Sequence, residues 1–350
     1  MKISAPPPSG FRSPRLSGLG AFFSRWPLPR FEVRLRAPDI SRWRAGSDGI
    51  PGVVRLAARA PGPHVAVVAV MHGNEIAGAV LLARLLAAGI APLRGCLTLV
   101  FANLAAFGRF DPQLPVASRY VEEDLNRVWD PARLDGPSDC GESALDEPAS
   151  CELARARALR PVFDSADVVL DLHSMFWPGE PLILCGASAR GRALAADLGC
   201  PPLVVADRGH PAGPRLIDYP RFLDPAGRAA AILVEAGQHW ASETVATMAA
   251  TLGQLLRHFG MIAASPLLPV PPPGKGPRIA EVLETVVART DRFAFAQPWP
   301  SGTVLARRNT LVASDGPAEI RTPCEDCLLV MPSLHPVRGQ TAVRLARFAP

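Results

Sequence analysis

Three side chains whose types suit a metal centre stand at two separate points of the sequence. His72 and Glu75 lie three residues apart, directly after an apolar run, and His173 ends a second apolar run. Two imidazoles and one carboxylate, with a fourth position left for water, form the ligand set of a catalytic zinc ion. The closely spaced pair His72 and Glu75 would hold the ion, and the distant His173 would complete the set of protein ligands. The sequence therefore predicts one Zn²⁺ per subunit, bound by His72, Glu75 and His173.

Buried strands that lead into helices must position these residues. Continuous apolar runs predict strands at residues 65–70, 97–102, 168–172, 182–185, 203–206 and 232–235. Helical segments are predicted between them, near residues 76–88, 151–163, 189–198 and 243–259. Such runs are typical of strands buried on both faces, so we expect an α/β architecture with a mostly parallel central sheet. The polar strand ends at His72, Asn103, His173 and Glu235 should then gather at one edge, where such sheets bind ligands.

Composition divides the chain into four parts. Residues 1–40 are rich in Pro, Ser and Arg, which predicts a flexible arm, and residues 41–264 hold the α/β pattern. Residues 265–277 include PLLPVPPPGKGP, which has the composition of a linker. Short strand-like runs separated by turns follow, and they predict a small β domain over residues 278–350.

Bulk composition excludes several classes of protein. Hydrophobic residues make up 48% of the 350, which is enough for a large core. The net charge is +5, but no dense Lys/Arg stripe supports a nucleic-acid partner. No apolar run reaches the roughly 18 residues of a membrane span. The seven Cys are an odd number in a long chain, which favours a reducing compartment, so we predict a cytoplasmic protein.

Four ordered blocks of the sequence resemble the succinylglutamate desuccinylase/aspartoacylase family, a branch of the zinc carboxypeptidase-like fold. The blocks are residues 72–75, residues 103 and 119–127, residues 171–174 and residues 234–239. Together they cover about residues 65–240. The resemblance implies a zinc carboxypeptidase-like α/β/α core and zinc on His72, Glu75 and His173. It also implies Glu235 as the general base.

The same resemblance implies substrate contacts from Arg119, Asn126 and Arg127. Arginine suits a bidentate grip on a carboxylate, and beside a metal it can also stabilise an oxyanion. We assign the oxyanion to Arg119 and the carboxylate grip to Asn126 and Arg127. The alternative interpretation of Arg127 is a structural ion pair with Asp124.

The chemistry of Glu235, Arg228 and His239 also bears on the site. Glu235 ends a buried apolar strand, where desolvation would raise its pKa and suit it to proton transfer. Arg228, seven residues before Glu235, is a candidate for binding a distal carboxylate, with Tyr219 and Arg221 as rivals. His239, in the same block as Glu235, could line the cleft or only pack in the core.

These residues together predict a zinc-dependent amidohydrolase that removes the acyl group from an N-acyl amino acid or a similar small amide carrying a carboxylate. The small β domain would narrow the entrance and exclude proteins as substrates. Three alternatives stay open: a metallocarboxypeptidase acting on short peptides or cell-wall fragments, an inactive binding module on the same fold, and a nucleic-acid binder that uses the basic arm. Homo-oligomer formation is left open.

Overall fold

The computed structural model describes residues 31–136, 149–272 and 276–349. Residues 1–30 of the predicted arm and residues 273–275 of the predicted linker lie outside the described residues. Residues 31–40 form an irregular segment. Within it, Phe31, Val33 and Leu35 pack against the main hydrophobic core. The last ten residues of the predicted arm are therefore attached to the fold.

Strands are interspersed with helices as far as residue 258, and from residue 278 onward the described elements are strands. The strands are β1 (Val53–Ala57), β2 (His64–Ala69), β3 (Cys96–Phe101), β4 (Val168–Met175), β5 (Leu182–Leu184), β6 (Leu203–Ala206), β7 (Ala230–Gln238), β8 (Arg278–Val287), β9 (Phe293–Phe295), β10 (Val304–Leu305), β11 (Leu311–Asp315), β12 (Ala318–Arg321), β13 (Cys327–Val330) and β14 (Thr341–Phe348). The α-helices are α1 (Ile76–Ala87), α2 (Leu104–Phe107), α3 (Pro131–Leu134), α4 (Cys151–Ser165), α5 (Ala189–Leu198), α6 (Pro220–Leu223) and α7 (Ser242–His258). None of the helices in the described part of the chain has both the length and the apolar character that a membrane crossing needs.

One large mixed sheet organises the fold. Its strand order is β1-β3-β2-β4-β7-β5-β6-β8-β14-β13-β10, and β9, β11 and β12 form a second, smaller sheet. The strands β3, β2, β4 and β7 run parallel to one another, and β1 pairs antiparallel with β3 at the sheet edge. Strand β5, which is antiparallel to β7, starts a second parallel group with β6 and β8. The predicted α/β fold with a largely parallel central sheet is confirmed.

Helices cover both faces of the central sheet. Side chains of β2 alternate between two cores, with Val65 and Val67 in the first and Ala66 and Val68 in the second. Helices α1, α5 and α7 contribute to the first core and α4 to the second. Burial on both faces is why these strands read as unbroken apolar runs.

The C-terminal strands extend the same sheet and also enclose a core of their own. Strand β8 pairs in parallel with β6, and β14 pairs antiparallel with β8. Phe293, Phe295, Leu329 and Val343 lie in this third core, and Cys327 is buried with them. This arrangement gives β14 a place beside the α/β core, so a residue of β14 can reach the site described below. The division into domains at residues 265–277 stays a prediction.

Candidate metal and active site

The carboxyl ends of three neighbouring parallel strands bring the predicted metal ligands and Glu235 together at one sheet edge. Strand β2 leads into His72, and β4 carries His173 near its end. Strand β7 carries Glu235, which is paired directly with His173 in the register between β4 and β7. Because the carboxyl ends of neighbouring parallel strands lie at the same edge of the sheet, residues distant in the sequence meet there.

The turn between β2 and α1 is built tightly against its surroundings. Val70 has a φ of 50°, a strained conformation for a β-branched residue, and its carbonyl oxygen accepts a hydrogen bond from Asn103 N at 2.9 Å. Gly73 follows, where an added Cβ would lie 2.3 Å from the carbonyl carbon of Ala106 and 2.5 Å from the carbonyl oxygen of Ser118. A glycine is needed here because the turn passes directly against another stretch of backbone.

His72, Glu75 and His173 form a compact, buried donor set. Ligand atoms from the three residues all lie within 4.8 Å of one another. His72 Nδ1 is 2.7 Å from Glu75 Oε1, and His173 Nδ1 is 3.1 Å from Glu75 Oε2. Two imidazole nitrogens and a carboxylate, converging in a buried place, suit a Zn²⁺ ion in type and number.

A carboxylate faces the second nitrogen of each imidazole. His72 Nε2 lies 2.9 Å from Asp124 Oδ1, and His173 Nε2 lies 2.9 Å from Asp171 Oδ2. Although burial favours its neutral form, Asp171 and Glu75 raise the pKa of His173. Carboxylates in this position fix the orientation of a metal-binding imidazole, so the surroundings of both rings fit a metal site.

Arg119 stands beside the donor set. Its Nη2 donates to Asp124 Oδ2 at 2.9 Å and lies 2.9 Å from His72 Nε2, while Nη1 is 3.6 Å from Glu75 Oε1. The side chain keeps 37% of its surface exposed. A guanidinium that is held by carboxylates yet still open to the cavity can contact a substrate oxygen close to the metal position.

Asn126 and Arg127 follow Asp124 in the short 3-10 turn Leu125–Arg127. The Asn126 amide nitrogen is 3.3 Å from His173 Nε2, and its Oδ1 accepts from Leu216 N at 2.8 Å. Arg127 Nη1 donates to the carbonyl oxygen of Asn126 at 2.6 Å. Both residues line the cavity, but Asn126 is held by protein contacts on both sides of its amide. No salt bridge joins Asp124 to Arg127 among the described residues, so the structural ion pair is not found.

Glu235 is a buried carboxylate with one unused oxygen. The residue is 6% exposed, and its Oε2 has no hydrogen-bond partner within the described ranges. Burial, together with the negative charge of Glu75, raises the pKa of Glu235 to about 8. Gly237 has a φ of 133° and turns the chain away two residues later. Such a carboxyl group can both accept and release a proton near neutral pH.

The structure does not bring Arg228 into the site, which corrects the prediction made for it. Arg228 is exposed and precedes β7, whereas Glu235 lies near the other end of that strand. Seven residues of extended chain span roughly 23 Å. Tyr219 and Arg221 are also directed elsewhere, since Tyr219 donates to Asp164 and Arg221 to the carbonyl oxygen of Ala166. None of the three lines the cavity.

A cavity of about 570 Å³ joins these residues to others that the sequence analysis did not single out. His239 lines this cavity, which was one of the two positions predicted for it. Its Nδ1 lies 2.8 Å from Ser174 Oγ. Arg215 and Arg344 also line it, and both are buried. Arg344 comes from β14 at the far end of the sequence, where no motif marked it. Only the pairing of β14 beside β8 could have indicated its position.

Comparison with known proteins agrees with this geometry. Residues 61–176 match the model of the succinylglutamate desuccinylase/aspartoacylase catalytic domain. A search among curated proteins gives no match to the sequence. The matched segment holds the donor set, Arg119, Asn126 and Arg127, but neither Glu235 nor the C-terminal strands.

Solved structures share the architecture over most of the chain. A succinylglutamate desuccinylase/aspartoacylase from Rhodobacter sphaeroides has a TM-score of 0.60 at 18% identity, covering 85% of this chain and 89% of that one. A succinylglutamate desuccinylase from Chromobacterium violaceum has a TM-score of 0.57 at 20% identity, covering 86% and 89%. At these identities the likeness establishes the fold. The resemblance drawn from the sequence is therefore confirmed, and residues 61–176 carry the catalytic-domain pattern of the succinylglutamate desuccinylase/aspartoacylase family.

Proposed function

We propose that the protein is a zinc-dependent deacylase that hydrolyses the amide bond of a small N-acyl amino acid. The single observation that carries this proposal is the convergence of His72, Glu75 and His173 beside Glu235 and Arg119 in one cavity. The match to a desuccinylase/aspartoacylase catalytic domain supports the same type of reaction. A cavity of about 570 Å³ lies in the size range of small-molecule sites, which supports a small substrate.

His72, Glu75 and His173 would hold the zinc ion. When bound, zinc supplies a Lewis acid that polarises an amide carbonyl and lowers the pKa of water to about 7. Asp124 and Asp171, which face the Nε2 atoms of His72 and His173, would fix the orientation of the two imidazoles for metal binding. The protein's own side chains would carry out the other parts of the reaction, which are proton transfer, contact with the carbonyl oxygen and binding of the substrate carboxylate.

Glu235 moves the proton in the proposed reaction. Its unpartnered Oε2 accepts a proton from the attacking water, and the same oxygen then delivers that proton to the nitrogen of the leaving amine. Arg119 contacts the carbonyl oxygen, whose negative charge grows as the water attacks. Arg127 binds a carboxylate of the substrate, with Asn126 holding the loop on which Arg127 stands.

Turnover of a substrate panel tests the proposal. Purified protein loaded with zinc is assayed against N-acyl amino acids and against dipeptides, together with Glu235→Gln and a surface control, Glu319→Gln. We expect hydrolysis of N-acyl amino acids, loss of activity in Glu235→Gln by about 100-fold or more, and no change in Glu319→Gln. Faster cleavage of dipeptides would favour the carboxypeptidase alternative. Ligand binding without any turnover would favour the inactive binding module.

A further inference from the structure

Two adjacent aromatic residues form part of the cavity wall. Phe176 and Trp177 directly follow β4, the strand that carries His173, and both line the cavity. Their ring centroids are 5.3 Å apart at an interplanar angle of 84°, which is an edge-to-face contact. Both side chains are partly buried, so each packs against the protein and is still accessible from the cavity. We call these two residues the aromatic wall.

Short contacts link the aromatic wall to the donor set. The ring centroid of Phe176 lies 6.2 Å from that of His239, and His239 Nδ1 is 2.8 Å from Ser174 Oγ. The backbone nitrogen of Ser174 donates to Glu75 Oε2 at 2.9 Å. A substrate whose amide lies at the proposed metal position therefore has the wall within reach of a side chain or of a short acyl chain.

The N-terminal segment supports the aromatic wall from outside the cavity. Phe31 does not line the cavity, but its ring packs edge-on against both rings of the wall. The centroid distances are 5.2 Å to Phe176 and 5.9 Å to Trp177. Arg34 N donates to the carbonyl oxygen of Trp240 at 3.3 Å, which attaches the same segment to the turn that precedes α7. The position of the wall therefore depends on Phe31.

The C-terminal part of the chain supports the aromatic wall as well. The ring of Trp177 stacks on that of His335, with centroids 5.9 Å apart and an interplanar angle of 15°. Glu180 N donates to the carbonyl oxygen of Ser301 at 2.9 Å. A Cβ added at Gly179 would lie 2.4 Å from Ser301 Cβ, so the loop passes directly against Ser301. A surface that is held in place in this way can bind a ligand without a further entropic cost of ordering.

Further non-polar side chains meet the same cavity. Val116, Met331 and Pro332 line it, and Val116 keeps 54% of its surface exposed. Met331 has a φ of 50°, which is uncommon for a residue other than glycine, and its backbone nitrogen donates to Ser301 Oγ at 3.1 Å. Because Ser301 also contacts the loop at Gly179, Met331 lies near the aromatic wall. Non-polar surface in an open cavity leaves water only when a non-polar group of a ligand covers it.

We propose that the aromatic wall binds a non-polar group of the substrate and that Phe31 is a positioning residue for this wall. The inference rests on the proposed deacylase function and adds a substrate class to it, an N-acyl amino acid with a non-polar side chain or a non-polar acyl chain. Arg127 binds the carboxylate of the same molecule, as proposed above. Phe31 and Trp177 both lie outside the segment that matches the family model.

Three substrates with one carboxylate each test the proposal. N-acetylalanine is small on both halves, N-acetylphenylalanine is non-polar on the amino-acid half, and N-hexanoylalanine is non-polar on the acyl half. We expect the normal protein to prefer one of the last two over N-acetylalanine by at least about 10-fold in kcat/KM. Trp177→Ala should reduce that preference by about 10-fold or more, mainly through KM, and Phe31→Ala by about 3- to 10-fold.

The matched control for both variants is Phe259→Ala. Phe259 is a partly buried phenylalanine that follows α7, packs on the first core and does not line the cavity. Its replacement removes a similar ring from the protein and should keep the preference. If Trp177→Ala does not fold, Trp177→Gln keeps much of the volume but presents a polar group, and it should lose the preference in the same way.

Several results would overturn the inference while leaving the deacylase proposal intact. A normal protein that hydrolyses all three substrates equally well would exclude a non-polar subsite. An unchanged preference in Trp177→Ala, or an equal fall of all three rates as a purely structural role requires, would exclude the contact with the substrate. A preference that survives in Phe31→Ala would exclude the positioning role of Phe31.

A binding measurement tests the aromatic wall even if none of the three substrates is hydrolysed, an outcome that would count against the proposed function. Calorimetry compares 3-phenylpropionate with propionate, which has the same carboxylate but no ring. We expect the normal protein to bind 3-phenylpropionate at least about 10-fold more tightly, with a more negative heat-capacity change, and Trp177→Ala to lose both differences. Equal binding of the two acids by the normal protein, or unchanged differences in Trp177→Ala, would refute the inference.

Discussion

Replacing Gly73 with alanine should damage the site without touching any proposed catalytic group. The added Cβ would lie 2.3 Å from the carbonyl carbon of Ala106, 2.5 Å from Phe107 N and 2.5 Å from the carbonyl oxygen of Ser118. Carbon atoms in contact are about 3.5–4.0 Å apart, so the neighbours must move by roughly 1 Å. All three are backbone atoms and cannot rotate away. We expect a loss near the upper end of overpacking costs, about 3 kcal/mol.

The displacement should also reach the chemistry. Gly73 N donates to the carbonyl oxygen of Arg119 at 3.1 Å, so movement of the turn shifts both His72 and Arg119. A misplacement of about 1 Å can cost roughly 100-fold in rate. Gly73→Ala should therefore lose both stability and kcat/KM, although no reacting side chain is changed.

Urea unfolding and turnover of the preferred N-acyl amino acid measure the two effects. The matched control is Gly108→Ala in the neighbouring segment, where the nearest atom to an added Cβ is 3.3 Å away and the φ of −64° suits alanine. The control should stay within about 1 kcal/mol of the normal protein. A Gly73→Ala protein that unfolds at the normal urea concentration and keeps its activity would refute the close packing on which the reasoning rests.

Three further predictions follow from the same contacts. Asp171→Asn should weaken zinc binding by about 10- to 100-fold in a competition with a chelator, because Asp171 faces His173 Nε2 at 2.9 Å; unchanged affinity would exclude an orienting role. Arg228→Ala should leave kcat/KM unchanged for every substrate, and a selective loss would restore the original assignment of that residue. Although burial raises the pKa of Asp207, Arg215 holds that pKa below its usual value. The ionised Asp207 therefore contributes its full share of the folding stability above about pH 4, and this contribution is lost as the pH falls. Asp207→Asn should therefore be less stable at pH 7 but show a flatter loss of stability between about pH 4 and pH 2 in urea titrations, and parallel curves would contradict the pairing.

The elements of the α/β core could be predicted from the sequence because they are buried on both faces. Strand β6 and helix α5 begin and end where the apolar pattern places them, and the other central elements differ mostly at their ends. Strand β1 was missed, since it lies at the sheet edge and includes the half-exposed Arg55. Strand β14 was missed as well, because Arg344 and Arg347 interrupt its apolar pattern.

Only those residues of the candidate site that directly follow a recognisable strand could be predicted from the sequence. His72, His173 and Glu235 follow apolar strands, and the structure brings them together; their roles stay predictions. Arg228 shows the limit of such reasoning, because closeness to Glu235 in sequence becomes distance along an extended strand. Arg344 shows the opposite case, in which a residue far away in sequence reaches the cavity through sheet pairing that no local pattern reveals.

Zinc stoichiometry tests the central claim most directly. The protein is purified, stripped with a chelator, reloaded and analysed for bound metal, alongside His173→Ala and the exposed control His258→Ala. The account predicts one zinc per chain in the normal protein and in His258→Ala, and loss of both zinc and deacylase turnover in His173→Ala. A His173→Ala protein that retains one zinc and full activity would contradict the metal site and the mechanism built on it.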